Sequence, residues 1–317
     1  MKQVLYGIVG PTACGKTEIG IGVAKQVDAE IISVDSVQVY RGMDIGSAKP
    51  PQDERAGVRH HMLDCTDIET SVFSVAEFRD RAFSIIDDLF MHAKQPLLVG
   101  GSSLYIDALT EPLGFAVPGS AAVRKRCEER YNQSPDETWS FLNSVDSITA
   151  ERLHIHDKKR IVRALEVYVC SGRTLSEFGS DYANLRETSP RYPSRLFGLS
   201  LERETLYRRI DERVEQMITA GLVQEAMRIY EHIKDRSLPA MQSIGYKQLF
   251  WYFDGLCTLN EAIANIKKAT RHFAKRQMTW LRRKSNITWF ELGNMDKDTI
   301  AKEISQIIKE ERDECIR

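Results

Sequence analysis

Gly10-Pro11-Thr12-Ala13-Cys14-Gly15-Lys16-Thr17 fits the spacing Gly-x-x-x-x-Gly-Lys-[Ser/Thr]. It lies between an apolar run, residues 4–9, and a helix-compatible run, residues 18–27. That strand–loop–helix setting gives the pattern its meaning. The glycines let the backbone wrap with its N–H groups pointing inward, and the helix N-terminus adds partial positive charge at the same spot. Lys16 offers a point charge to outer phosphate oxygens, and the Thr17 hydroxyl a place on a bound Mg²⁺. The stretch reads as a polyphosphate cradle, against the plainer reading of a glycine-rich turn. It does not say which phosphate compound is held.

Working outward, residues 30–34 form a second buried strand ending on Asp35, and residues 96–99 a third ending in Gly100-Gly101. Residues 73–94 carry helical spacing, and another helix begins at Ser102. Residues 36–53 contain Gly42, Gly46, Pro50 and Pro51 and read mostly as loop. This alternation predicts a P-loop NTPase-like α/β fold, a parallel sheet flanked by helices. From about residue 112 to 193 there are helical patterns, at 121–132, 136–145 and 158–170, but no convincing strand. Residues 116–190 are therefore predicted to be an all-helical insertion, with 1–115 and 191–317 forming the core. Strands at 195–201 and 287–292, and helices at 202–220, 222–233, 260–284 and 297–311, complete it.

Composition excludes more than it indicates. No apolar run approaches the ~20 residues of a membrane span, and the start shows no signal-peptide pattern, so a cytoplasmic location and no membrane partner are expected. The six scattered cysteines, without a Cys-x-x-Cys pair, read as free thiols in a reducing compartment. Net charge is −1, so only local charge can point to nucleic acid.

Asp35 stands at the strand edge where open parallel sheets bind ligands. A carboxylate there serves as a Mg²⁺ partner or a general base, or merely caps a loop. No Asp follows the third strand, which weighs against a motor or GTPase; Gly100-Gly101 implies close approach to the backbone, or only a tight turn. Arg209 and Arg213 share a helix face, either as an electrostatic clamp over the phosphate loop or as surface charges balanced by Glu212 and Glu215. Residues 267–284 carry Lys267, Lys268, Arg271, Lys275, Arg276, Arg282, Arg283 and Lys284 with no acidic residue. Ile266, Phe273 and Trp280, at heptad spacing, form the expected buried stripe. Such a face suits a phosphate backbone. Lys158-Lys159-Arg160 with Arg163 makes a second basic group. His60-His61 and His154-x-His156 lack companion ligands at suitable spacing.

Taken in order, these blocks resemble the tRNA dimethylallyltransferase (isopentenyl-tRNA transferase) family over nearly the whole chain, from Tyr6 to about Trp289. The phosphate loop is followed by Ile32-Ser33-Val34-Asp35-Ser36-Val37-Gln38-Val39-Tyr40 and Met43-Asp44-Ile45-Gly46-Ser47-Ala48-Lys49-Pro50. Then come His60-His61-Met62-Leu63-Asp64, Val99-Gly100-Gly101-Ser102-Ser103-Leu104-Tyr105 and Arg160-Ile161-Val162-Arg163-Ala164-Leu165-Glu166-Val167. The last are Ser243-Ile244-Gly245-Tyr246-Lys247-Gln248 and Arg271-His272-Phe273-Ala274-Lys275-Arg276-Gln277-Met278-Thr279-Trp280-Leu281. The resemblance implies transfer of a dimethylallyl group from dimethylallyl diphosphate to N6 of the adenine just 3′ of the tRNA anticodon, with Mg²⁺ assisting and diphosphate leaving. The adenine must leave its stack to react.

Carried over by position, Asp35 is the general base. Thr12, Lys16, Thr17 and Arg213 stabilise the diphosphate within a loop completed by Gly10, Pro11, Ala13, Cys14 and Gly15, with Thr17 acting through the metal. Ser36, Val37 and Gln38 help read the adenine. Ser102, Arg124, Lys159, Arg160, Ile161, Val162, Arg163, Ser243, Ile244, Gly245, Tyr246, Lys247 and Gln248 contact tRNA, with the insertion on the anticodon stem-loop. Cys14 stands where the family usually has Ser, and Ser47 and Ser102 stand for Thr. No zinc-finger extension is recognisable, which matches a compact bacterial form; a monomer is the default expectation. The competing readings are a small-molecule P-loop kinase, an isopentenyltransferase acting on free adenine nucleotide, and a non-catalytic RNA-binding protein of the same fold.

Overall fold

The computed structural model describes residues 3–69, 73–112, 120–178, 189–293 and 295–314. The chain divides into two compact units, residues 1–110 with 191–317, and residues 111–190. The sequence-predicted boundary at 115/116 and the breakers Pro118 and Gly119 lie outside the described residues, as does Cys315.

The first unit is built on six strands: β1 (Leu5–Val9), β2 (Ala29–Val34), β3 (His60–His61), β4 (Gln95–Gly100), β5 (Ser194–Ser200) and β6 (Ile287–Glu291). Their order is β3-β2-β4-β1-β5-β6, and every pairing is parallel. The strands read as near-continuous apolar runs because both faces are covered; all five residues of β1 and all six of β4 are buried. Alternation splits each strand between two cores. Leu5 and Val9 join one apolar cluster and Tyr6 and Ile8 the other. The two-residue β3 was not legible in sequence, since two residues carry no periodicity.

Before the insertion the unit has α1 (Lys16–Val27), α2 (Val75–Met91) and α3 (Ser103–Thr110). The second unit contains α4 (Ala121–Gln133), α5 (Pro135–Val145), α6 (Ser147–Glu151) and α7 (Lys158–Ser171), packed on a core of its own that includes Leu142, Ile161 and Leu165. Ser120 caps α4 and Ser134 caps α5, each side chain accepting from the N–H three residues on. The first unit resumes with α8 (Arg203–Thr219), α9 (Leu222–His232), α10 (Tyr246–Phe253), α11 (Leu259–Leu281) and α12 (Lys297–Glu314). A full capping box starts α11: Thr258 and Glu261 satisfy each other's backbone N–H. Helices α1 and α12 feed one core and α2, α3, α9 and α10 the other, while α8 and α11 contribute to both, α8 through Leu206 and Val214 and α11 through Ala274 and Ile266.

This topology positions the site. Gly100 is in register with both Val9 and Val34. The phosphate loop, Asp35 and the Gly100-Gly101 turn therefore leave adjacent strands at the same carboxyl edge, where open α/β sheets bind ligands.

Candidate active site

The loop from Gly10 to Thr17 delivers its backbone to the start of α1. Ala13 and Gly15 both take positive φ, 63° and 99°, which turns successive N–H groups to one side. Cys14 is fully buried, and its sulfur lies 2.9 Å from where a Cβ on residue 10 would stand. Glycine at 10 is what makes room for the thiol. Lys16 Nζ lies along the loop, donating to the Pro11 carbonyl at 2.6 Å. Burial first, and then the Arg213 guanidinium, hold the Lys16 ammonium below its ordinary value, against the opposing pull of Cys14 and Asp35.

Asp35 is fixed by its own turn. Its Oδ1 accepts from the N–H groups of Val37 at 2.8 Å and Gln38 at 3.3 Å, an Asx turn that orients the carboxylate. Ser102 Oγ accepts from Ser36 N–H at 3.0 Å, tying the β2 and β4 turns together. The close approach implied by Gly100-Gly101 is now identified. A Cβ at 100 would stand 2.1 Å from the Val34 carbonyl, and one at 101 would stand 2.4 Å from Gln277 Nε2. Gln277, buried on α11, donates to the Gly101 carbonyl and accepts from Thr12 N–H, both at 2.9 Å. It braces the phosphate loop against the β4 turn. Sequence reasoning gave Gln277 no role, because a polar residue within a basic helix looks like surface.

Arg213 lies at the phosphate loop, beside Lys16 and Thr17. Glu212 lies 3.9 Å from Arg208, and Glu215 pairs with Lys267, so neither expected counter-charge balances Arg213. Burial pushes its guanidinium below its ordinary value, opposed by Cys14, Asp35 and Glu54. A cavity of about 80 Å³ is lined by Lys16, Thr17, Asp35, Gly101 and Arg213 among others. A second, of about 350 Å³, shares Thr12, Asp35 and Arg213 and extends past Val37, Ser243 and Ile244. Asp35 and Arg213 thus border both a small cavity that Lys16 and Thr17 line and a larger, more apolar one.

Gln38 is fully engaged. Its Oε1 accepts from Ser33 Oγ at 2.8 Å, and its Nε2 donates to the carbonyls of Ser47 and Ala48, both at 3.2 Å. Ser47 Oγ donates to the Met43 carbonyl at 2.6 Å, so the hydroxyl at that position serves its own loop.

The remaining assignments divide by burial. Ser243, Ile244 and Gly245 line the larger cavity, and Lys247 lies over the Trp251 ring at 5.5 Å. Tyr246 and Gln248 are buried: the Tyr246 hydroxyl donates to Glu225, and Gln248 Oε1 accepts from Gly245 N–H. They are structural, not surface contacts for tRNA. The same correction applies in the second unit to Ile161 and Val162, which are core residues of α7. Arg124 and Arg163 both donate to the buried Glu166 carboxylate at 2.9 Å, whereas Lys159 and Arg160 are exposed.

The basic helix also splits by face. The buried stripe of α11 is Ala262, Ile266, Ala274, Gln277 and Leu281. Phe273 lines both cavities and Trp280 is only half-buried, which corrects the heptad reading. Lys267 and Arg271 pair with Glu215 and Asp211, while Lys268, His272, Lys275, Arg276, Arg282 and Arg283 are exposed.

Among the described residues no group of three or more His, Cys, Asp or Glu is placed to hold a metal. The hydroxyl of Thr17 at the mouth of the phosphate loop is a hard oxygen donor. That donor set fits Mg²⁺ carried largely by substrate phosphate oxygens and water, as that ion prefers.

Comparison with known proteins assigns the chain a family. The IPP transferase family model matches residues 38–284. The chain is 43% identical over 302 residues to the tRNA dimethylallyltransferase of Anoxybacillus flavithermus, covering 95% of this chain and 93% of that protein. It is 42% identical over 294 residues to that of Geobacillus kaustophilus, covering 92% and 91%. The crystal structure of the full-length tRNA isopentenylpyrophosphate transferase from Bacillus halodurans matches with a TM-score of 0.72 at 38% identity, covering 99% of this chain and 98% of that one. A eukaryotic dimethylallyltransferase acting on tRNA matches with a TM-score of 0.78 at 26% identity, covering 92% and 74%. On this family match and these near-full-length identities, the chain belongs to the IPP transferase family.

Proposed function

We propose that the protein transfers a dimethylallyl group from dimethylallyl diphosphate to N6 of the adenine just 3′ of the anticodon in tRNA. The observation that carries this reading is the shared wall of the two cavities. Lys16, Thr17 and Arg213 line the smaller, Asp35 and Arg213 line both, and the larger is open enough for an extruded base. Full-length similarity to tRNA dimethylallyltransferases supports the choice of substrates.

The N6 lone pair attacks the terminal allylic carbon, the carbon–oxygen bond breaks, and diphosphate departs with the electron pair. Asp35 takes the N6 proton. Its carboxylate is held for this by the Val37 and Gln38 amides, because a base must be positioned before its basicity counts. Lys16, Arg213 and the loop N–H groups receive the charge that develops on the leaving oxygens. When bound with the diphosphate through Thr17, a magnesium ion supplies further neutralisation of that charge. No nucleotide is hydrolysed, which accounts for the absence of an Asp after β4. Lys159 and Arg160 of the second unit and the exposed basic face of α11 contact RNA phosphates. The protein works in the cytoplasm, as a monomer.

Labelled dimethylallyl diphosphate and Mg²⁺ are supplied with unmodified tRNA, with AMP, or with ATP and small acceptors. Label is expected in tRNA alone; label in AMP alone overturns the proposal. Asp35→Ala should reduce transfer at least about a thousandfold, within the span general-base catalysis commands, with the KM for dimethylallyl diphosphate little changed. Equal loss of both would make Asp35 a metal-binding or structural residue instead.

A further inference from the structure

Glu225, on α9, is a buried carboxylate that the reaction above does not use. Its Oε2 accepts from the N–H groups of Asp44 at 3.0 Å and Ile45 at 2.9 Å, and its Oε1 accepts from Gly46 N–H at 3.0 Å. The buried Tyr246 hydroxyl donates to Oε1 at 2.6 Å. Four donors converge on one carboxylate, three of them consecutive backbone amides. Burial and the Glu225 charge push the Tyr246 phenol far above its ordinary value, so this donor keeps its proton. Gly46 is pressed onto the Tyr246 ring, where a Cβ would stand 2.6 Å from the ring carbons.

The segment so gripped is a wall of the site. Gly46, Ser47 and Ala48 line the larger cavity with Asp35. The far end of the segment holds the base. The carbonyls of Ser47 and Ala48 accept from the Gln38 carboxamide, and the backbone N–H of Gln38 donates to Asp35 Oδ1. A path of hydrogen bonds linked by the covalent backbone therefore runs from Glu225, through residues 44–48 and Gln38, to the Asp35 turn.

We propose that Glu225 is a positioning residue for the transfer. By fixing residues 44–46 it sets both the wall against which the acceptor base lies and, through Gln38, the aim of Asp35. Charge-assisted hydrogen bonds are the stronger and better-directed kind, and misplacing a reacting pair by about an ångström costs on the order of a hundredfold in rate. The phosphate loop is braced separately, by Gln277. Loss of Glu225 should therefore disturb the acceptor side and spare the diphosphate side.

This inference rests on the proposed dimethylallyl transfer, and its test separates the two. Wild type and Glu225→Gln are compared in single-turnover transfer with enzyme in excess over a tRNA anticodon stem-loop, a rate insensitive to any inactive fraction. Glu225→Gln should slow transfer about 10- to 100-fold, with the KM for dimethylallyl diphosphate within about twofold, in line with the cost of misplacement. In a double-mutant cycle, Glu225→Gln and Gln38→Ala should be non-additive, because they cut one path. If Glu225→Gln does not fold, Tyr246→Phe, which removes one donor, should show the same split at about three- to tenfold. A wild type that transfers no label overturns the underlying reading and this inference with it. A wild type that transfers label while the variant matches its rate, loses diphosphate affinity in step, or adds independently to Gln38→Ala overturns this inference alone.

Discussion

At the scale of single residues, Lys16 carries the most direct electrostatic consequence. Its ammonium is disfavoured by burial and by Arg213, yet it is the charged form that attracts phosphate oxygens. An incoming diphosphate reverses the balance and favours the ammonium, so binding at alkaline pH takes up a proton. Affinity for inorganic diphosphate should therefore fall as pH rises through a range below 10.5, the ordinary lysine value, because the charged form is lost early. Lys16→Arg keeps its charge throughout that range and should flatten the profile even if it binds more weakly. Calorimetric titration across pH tests this: wild-type affinity that stays level up to 10.5 would show that burial does not govern the ammonium. Lys16 itself was legible from the loop spacing, and so was Asp35 from the end of a buried strand. Gln277 and Glu225 were not, because a buried polar residue is recognised by the partners that satisfy it, and these lie 265 and about 180 positions away in the chain.

Among the elements, α11 does two jobs that its sequence merges into one. Its outer face carries exposed basic residues, and its buried face sends Gln277 across to Thr12 and Gly101. Gln277→Ala leaves the half-buried Thr12 N–H and the buried Gly101 carbonyl without their partner. The expected loss is about 1–3 kcal/mol for a group left unsatisfied, read from urea unfolding, together with weaker diphosphate binding as Thr12 loses its anchor. A change within about 0.5 kcal/mol, the size of an ordinary surface substitution, would show the brace to be dispensable. Phe273 illustrates the limit of periodicity. Heptad spacing places it with Ile266, and both line the larger cavity, but only Ile266 is buried; Phe273 is half-buried and reaches the smaller cavity as well. The long strands and helices were legible because each is long enough to show its period. β3, and the start of α10 at Tyr246, were not, since two residues and a glycine-led block give no periodic signal.

For the whole molecule, the second unit's having a core of its own implies that its charge must be divided between folding and binding. Arg124 and Arg163 converge on Glu166, which is buried, so their first task is to neutralise it. Removing either leaves a buried carboxylate short of a partner, which costs far more than an exposed pair is worth. Lys159 and Arg160 start the same helix on its exposed side, where Arg160 pairs with Asp157. These two are the proposed phosphate-binding cations. In the double variant Lys159→Ala with Arg160→Ala, tRNA affinity should fall and the slope of log K against log salt should become shallower. The expected change is about 0.7–0.9 for each phosphate no longer neutralised, with the melting temperature and single-turnover rate at saturating enzyme held. Arg163→Ala should do the reverse, lowering the melting temperature while leaving the salt slope nearly unchanged. Filter binding over a salt series, paired with thermal melts, distinguishes the two groups. An unchanged slope in the double variant would remove Lys159 and Arg160 from the RNA interface. A shallower slope in Arg163→Ala would mean that its guanidinium is shared between Glu166 and a phosphate. The resemblance that assigned all of 159–163 to tRNA treats one turn of helix as one surface. A turn of helix presents two faces, and here one of them is the core.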